Sequence, residues 1–121
     1  MKEQKFRKLE VWKKAIDFAE GMYRFTKSFP AFELYGLTSQ LRRVATSLAL
    51  NIAEGSGSGS DNEFNRFLNM SLRSSYEVMC GIDIVKRLGY GSNVEADNLI
   101  KKCEEISAMI SGLKKKLTAE S

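Results

Sequence analysis

Residues 93–117, NVEADNLIKKCEEISAMISGLKKKL, decide the fold class of this 121-residue chain. Apolar or weakly polar side chains recur there at spacings that alternate between four and three: Leu99, Cys103, Ile106, Ile110, Leu113 and Leu117. This heptad rhythm lines up one side of a helix and is typical of helices that pack against other helices. Residues 92–95, SNVE, match the capping box that opens a helix, so they predict where this helix begins.

The segment that precedes residues 93–117 repeats the same pattern. Residues 60–63, SDNE, form another capping box, and Gly89-Tyr90-Gly91 interrupts the helix after Leu88. The predicted buried stripe of this third helix is Phe64, Leu68, Ser71, Ser75, Val78, Ile82 and Val85. A flexible Gly-Ser connector, residues 55–59, separates it from the helix before it.

Two further helices are predicted in the first half of the chain. The second runs from about Leu37 to Glu54, and Gly55 suits a left-handed C-terminal cap. Its predicted buried stripe is Leu41, Val44, Leu48 and Ile52. The first runs from about Leu9 to Lys27 and ends before Pro30, because proline disfavours helix in the residue before it.

These four segments cover most of the chain and are joined by short turns. The sequence therefore predicts an all-α protein, a single domain over residues 1–121 folded as an up-down-up-down antiparallel four-helix bundle. Hydrophobic residues make up 43% and charged residues 28%, which is the composition of a globular protein.

Composition argues against catalysis. The chain has no histidine, the side chain most used for proton transfer near neutral pH and the commonest metal ligand. Cys80 and Cys103 are far apart in sequence, which favours ordinary thiols over a disulfide or a metal clamp. We therefore expect no enzyme activity, no metal and no cofactor. The charged N-terminus leads into no long apolar segment, so we expect a cytoplasmic protein without a membrane partner.

The first helix carries two apolar stripes, although a bundle helix typically needs one. One stripe is Leu9, Trp12, Ile16, Ala19, Tyr23 and Thr26, and the other is Val11, Ala15, Phe18, Met22, Phe25 and Phe29. The doubling predicts self-association through the second stripe, with Val11, Phe18, Met22 and Phe25 as interface residues. The alternative is that loop residues such as Phe32 and Leu34 cover this stripe within the chain.

Basic residues give the chain a net charge of +4 and favour polyanionic partners. Arg66, Arg73 and Arg87 recur at whole-heptad intervals with Cys80 between them, so we expect an outward arginine row on the third helix that could contact phosphates. Lys13 and Lys14 belong to a locally basic N-terminal region that includes Lys2, and they are further candidates. The alternative for all of these side chains is an ordinary solvated surface.

Two strings, YGLTSQLRRVA at residues 35–45 and NIAEG at residues 51–55, resemble the four-helix bundle family encoded in 23S rRNA intervening sequences. Val11-Trp12 and Phe29-Pro30 fit the same pattern. The accessory variability determinant proteins of diversity-generating retroelements look related. The resemblance implies a ring-like homopentamer, no enzyme activity, and a basic surface that contacts nucleic acid or a reverse transcriptase. The connector SGSG at residues 56–59 departs from the arginine or lysine that relatives often carry there.

Two hypotheses of function follow from the sequence. The first is a non-catalytic, oligomeric binding protein that contacts RNA or DNA through basic surfaces without sequence readout. The alternative is a protein-interaction scaffold or accessory subunit with no direct role in nucleic-acid binding. Binding to phosphates should weaken steeply with added salt, whereas binding to an apolar protein partner should not, so salt dependence separates the two.

Overall fold

A computed structural model describes the backbone of residues 4–120 and the side chains of residues 4–119. The chain forms four long helices: α1 (Glu10–Thr26), α2 (Ser39–Ser56), α3 (Asp61–Leu88) and α4 (Asn93–Glu120). Shorter helical turns cover Lys5–Lys8, Ala31–Glu33 and Leu34–Thr38, and no strand occurs within residues 4–120. The predicted all-α class is therefore confirmed. Lys2 lies outside the described residues.

Each helix packs against its neighbours in sequence, and α1 also packs against α4, so the four helices close into a bundle. The short connections make consecutive helices antiparallel, which gives the up-down-up-down arrangement. The α2–α3 pair makes the most extensive contact. The α1–α2 loop (residues 27–38) and the α3–α4 turn lie at one end of the bundle, where the Tyr90 hydroxyl donates to Glu33.

The helix ends follow the capping signals of the sequence with one exception. Ser60 Oγ accepts from the Glu63 amide at 3.1 Å and Ser92 Oγ from the Glu95 amide at 3.3 Å, as the two capping boxes predict. Gly89, at φ 78°, ends α3 in the left-handed conformation that favours glycine. The prediction of a left-handed cap at Gly55 is wrong, because α2 continues to Ser56 and its cap is Gly57 at φ −87°.

Gly55 instead meets a requirement for space. A Cβ there would lie 2.7 Å from the Phe67 Cβ and 2.9 Å from the Phe64 Cδ1 of α3. The missing side chain therefore lets the start of α3 pack directly on the end of α2.

The predicted stripes of α2 and α3 are fully buried, and in α4 only Leu113 remains partly exposed. Both serines in the α3 stripe form hydrogen bonds with other helices, and Ser75 Oγ also donates to the Leu72 carbonyl of α3 itself. Ser71 Oγ donates to the Leu48 carbonyl of α2 at 2.9 Å, and Ser107 Oγ of α4 donates to Ser75 Oγ at 2.9 Å. Small hydroxyl side chains at these positions let three helices approach closely without leaving polar atoms unpaired.

The predicted oligomer interface on the first helix requires a correction. Val11, Phe18, Met22 and Phe25 all lie in the core of their own chain, and the Phe18 ring has 0% exposure. They are packed within the bundle and are inaccessible to a second copy. The loop does not cover them either, since Phe32 is 79% exposed and Leu34 is also exposed. The exposed large apolar side chains of α1 are instead Ile16 and Tyr23, which belong to the first stripe.

Candidate nucleic-acid interface

The arginine row faces outward, as predicted, since Arg66, Arg73 and Arg87 are all exposed on α3. Arg66 is paired, because its Nη2 lies 3.1 Å from Glu63 Oε2. Hydrogen bonding and charge from Arg66 lower the pKa of the Glu63 carboxyl, and the same contact raises the pKa of Arg66. Arg73 and Arg87 form no salt bridge with any side chain in residues 4–119.

The lysine candidates on α1 are both ion-paired. Lys13 Nζ lies 3.3 Å from Glu10, and Lys14 Nζ lies 2.8 Å from Glu105 of α4. The hydrogen bond to Glu105 raises the pKa of Lys14. Moreover, α3 carries four basic and four acidic residues, so its net charge is zero. A polyanion approaching Lys13, Lys14 or Arg66 would have to compete with the carboxylates that already pair with them.

A different basic site lies where the α1–α2 loop meets the first turns of α2. A shallow cleft of about 470 Å³, wide open to solvent, lies there. We call it the Arg42 cleft. It is lined by Tyr23, Leu34, Tyr35, Ser39, Arg42, Arg43 and Thr46, and none of these described lining residues is acidic.

Arg42 is fixed in this cleft by neutral groups. Its Nε donates to Thr26 Oγ1 at 2.8 Å, and its Cζ lies 4.8 Å from the centroid of the Tyr23 ring. The Thr26 hydroxyl is buried and donates to the Met22 carbonyl at 2.8 Å, so the anchor itself is held by α1. Because no carboxylate neutralises the guanidinium, its charge and its two terminal nitrogens remain available to an anion.

Arg43 adds a second cation to the same cleft. It is exposed on the outward side of α2 and has no salt bridge among the side chains of residues 4–119. Two adjacent guanidinium groups with no carboxylate between them concentrate positive potential at this end of the bundle. Ser39 lines the cleft beside them, and the Thr46 hydroxyl donates to the Arg43 carbonyl at 2.8 Å.

The wall of the Arg42 cleft is a loop tied down by Glu33. One carboxylate oxygen accepts from the Leu37 amide at 3.2 Å, and the other accepts from the Tyr90 hydroxyl at 3.0 Å. Burial, followed by the Glu33 contact, raises the pKa of Tyr90 above its ordinary value, so the phenol remains a donor. A Cβ on Gly36 would lie 2.6 Å from Glu33 Oε1, so a larger residue there would displace the carboxylate that ties the loop. Glu33 therefore links the loop to its own Leu37 amide and to Tyr90 of the α3–α4 turn.

Sequence reasoning did not single out the Arg42 cleft. Arg42 and Arg43 stand within the quoted string at residues 35–45, but two adjacent arginines on a helix are an ordinary surface feature. The available signal was Tyr23 in the first stripe of α1, which could have suggested an outward aromatic ring. Only the pairing of α1 with α2 brings Tyr23 next to Arg42.

Other chemistry is not indicated by the described residues. No group of three or more acidic, cysteine or histidine side chains within the described part of the chain is placed to hold a metal ion. Cys103 is buried, and burial raises the pKa of its thiol to about 12, whereas Cys80 is exposed. No helix in the described range has both the length and the apolar character needed to cross a bilayer.

Comparison with known proteins identifies the family of this chain. Residues 7–112 match the family model described as 23S rRNA-intervening sequence protein. The chain belongs to the 23S rRNA-intervening sequence protein family. A solved structure from Bacteroides thetaiotaomicron, described as a protein of unknown function from the S23 ribosomal protein family, superposes with a TM-score of 0.78. It is 22% identical, and the match covers 87% of this chain and 98% of that one.

At this identity the B. thetaiotaomicron structure supports the four-helix bundle and nothing more specific. A search of curated proteins gives no match. The match to the 23S rRNA-intervening sequence protein family takes in all of the Arg42 cleft and the whole arginine row. It points to no catalytic activity.

Proposed function

We propose that this protein is a non-catalytic, oligomeric binding protein of the cytoplasm that contacts RNA or DNA phosphates through Arg42 and Arg43, without sequence readout. The observation that carries the proposal is the anchoring of Arg42 on a buried hydroxyl and a tyrosine ring, with no carboxylate beside it. A guanidinium fixed in this way loses little conformational entropy when it binds a phosphate in bidentate fashion. Phosphate contacts carry no base identity, which accounts for binding without sequence preference.

The arginine row of α3 is the competing location. Arg73 and Arg87 are exposed and unpaired within residues 4–119, so they could contact phosphates as well. The two locations offer a matched comparison, because each supplies two arginines free of salt bridges. We favour the Arg42 cleft, since it is concave and its described lining contains no acidic residue, whereas α3 has no net charge.

The experiment measures binding of a labelled oligonucleotide by fluorescence anisotropy over a series of salt concentrations. Two double variants, Arg42→Gln with Arg43→Gln and Arg73→Gln with Arg87→Gln, remove the same charge from different faces. Each lost phosphate contact should reduce the slope of log affinity against log salt by about 0.7 on a single strand, so the cleft variant should lose about 1.4. The row variant should keep nearly the full slope.

Circular dichroism of both variants verifies that the bundle is intact. The opposite pattern, with the slope lost only in the row variant, would move the site to α3. Affinity of the unmodified protein that does not change with salt, or no binding at low salt, would remove nucleic acid from the proposal.

Self-association is part of the proposal, through side chains other than those predicted from the sequence. Ile16 of α1 is 42% exposed and Leu50 of α2 is 59% exposed. The Thr26–Arg42 hydrogen bond fixes the relative height of the antiparallel helices α1 and α2. Ile16 lies about 15 Å from Thr26 along α1, and Leu50 lies about 12 Å from Arg42 along α2, so the two side chains are at nearly the same height. Two exposed aliphatic side chains at the same height on neighbouring helices favour burial between subunits. The ring of five subunits implied by the resemblance is the assembly we propose.

The alternative function, a protein-interaction scaffold, is favoured by the exposed apolar side chains of the α1–α2 loop, Phe32, Leu34 and Tyr35. Affinity capture from lysate with and without nuclease separates the two functions. Partners that survive nuclease and high salt support the scaffold, whereas partners lost under both conditions support nucleic-acid binding.

A further inference from the structure

The α1–α2 loop exposes an aromatic ring to an unusual degree. Tyr35 is 93% exposed, although large rings are normally buried for most of their surface. Its exposure does not reflect a loose loop, because Glu33 ties this segment to both the Leu37 amide and Tyr90. The backbone that carries Tyr35 is therefore held, and the ring itself is left open to a ligand.

Tyr35 is also the free ring of the Arg42 cleft. The other tyrosine there, Tyr23, already has the Arg42 guanidinium stacked on it. No ring or cation contact involves Tyr35 among the described residues. The cleft thus combines one open aromatic face with two cations that lack carboxylate partners.

We propose that the Arg42 cleft takes one unit of a single-stranded nucleic acid, with its base stacked on Tyr35 and an adjacent phosphate bound by Arg42 and Arg43. This inference rests on the proposed function and narrows it to unpaired strands. A stacking ring beside a positively charged groove is the usual arrangement for single strands, because every unpaired base offers a face. In a duplex the bases are already stacked on each other, so Tyr35 could not reach one.

The test compares a labelled oligo-deoxythymidine with the oligo-dA·oligo-dT duplex of the same length, at one low salt concentration. Tyr35→Ala should weaken single-strand binding by about 5- to 150-fold, the range that corresponds to one stacked base. It should leave duplex affinity unchanged. Tyr35→Phe keeps the ring and should stay close to the unmodified protein. Tyr76→Ala is the matched control, since Tyr76 is an exposed tyrosine on α3, away from the cleft.

The outcomes separate this inference from the proposed function. If Tyr35→Ala leaves single-strand affinity unchanged while the double substitution of Arg42 and Arg43 removes it, stacking is overturned and phosphate binding stands. If Tyr35→Ala lowers the mass measured by light scattering and changes neither affinity, the loop is a subunit contact and the inference is wrong. An equal loss in Tyr76→Ala would also overturn it, and a protein that binds neither probe would overturn both proposals.

Discussion

Gly55 lies inside α2, where alanine ordinarily stabilises a helix by up to about 1 kcal/mol relative to glycine. Here the new Cβ would stand 2.7 Å from the Phe67 Cβ and 3.3 Å from the Phe64 carbonyl oxygen. Both atoms belong to the backbone of α3 or are attached directly to it, so a side-chain rotation cannot relieve the contact. α3 would have to move away from α2 across the most extensive contact in the bundle.

Overpacking of this kind costs about 1–3 kcal/mol, which exceeds the gain in helix propensity. We therefore expect Gly55→Ala to lower the free energy of unfolding by about 1–2 kcal/mol. The control is Gly112→Ala in α4, where no described atom lies within 4 Å of the new Cβ. That variant should gain roughly 0.5–1 kcal/mol.

Urea unfolding followed by far-ultraviolet circular dichroism measures both variants at one protein concentration, because an oligomer's stability depends on concentration. The same chemical change should shift the midpoint in opposite directions at the two positions. If Gly55→Ala stabilises the protein as much as Gly112→Ala does, then α2 and α3 do not approach as closely as described, and the explanation for this glycine fails.

Further predictions concern the core, the thiols and the loop. Phe18→Ala should lower the free energy of unfolding, measured in urea, by about 3–5 kcal/mol. Ile16→Ser should reduce the mass measured by light scattering and have little effect on unfolding. The reverse pattern would restore Phe18 as an interface residue. Cys80 should react quickly with a thiol reagent and Cys103 only in denaturant, and two fast thiols would contradict the burial of Cys103. Burial raises the pKa of Cys103 from 9.0 to about 12, so the stability present below the unfolded-state value should fall as pH rises from 9.0 towards 12. Cys103→Ala should be less stable at every pH, because it leaves a cavity in the core, but urea titrations should show no such additional fall in that variant, and an equal fall would contradict the assignment to Cys103. Glu33→Ala should speed hydrogen exchange of the α1–α2 loop amides, and unchanged exchange would show that Glu33 does not hold the loop.

The two C-terminal helices could be predicted from sequence almost residue by residue. In α3 and α4 the positions between the apolar stripes are mostly charged or amide side chains, such as Glu77 and Lys101. Turning either helix would bury several of these charges, so only one orientation is stable. Ser71 and Ser75 are also buried as the heptad spacing predicts, because a carbonyl and a hydroxyl group of neighbouring helices form hydrogen bonds with them.

The orientation of α1 could not be predicted in this way, because both of its stripes are apolar. Both stripes carry large apolar side chains, such as Phe18 and Ile16, so their spacing alone does not say which stripe faces the core. The positions of α2 and α4 decide the matter, and they place Thr26 in the interior with the Met22 carbonyl as its acceptor.

The Arg42 cleft could not be predicted from the sequence for a related reason. Its parts come from α1, the loop and α2, and Arg42 meets Thr26 and Tyr23 only once those helices are in register. The arginine row lies on a single helix, so heptad spacing was enough to predict that it faces outward. Arg66 and Glu63 stand at the i,i+3 spacing of a helix ion pair, so their pairing was a signal that the heptad pattern alone did not use.

The bond between Tyr90 and Glu33 joins residues 57 positions apart. It can form only after both helical hairpins have folded and docked. Closing a loop of this length costs chain entropy before the hydrogen bond contributes any stability to the fold. Surface segments held by a few hydrogen bonds open at a lower free energy than the whole domain. On heating, the loop that carries Tyr35 should therefore detach first, and the Arg42 cleft should be lost at a temperature where the helices are still folded.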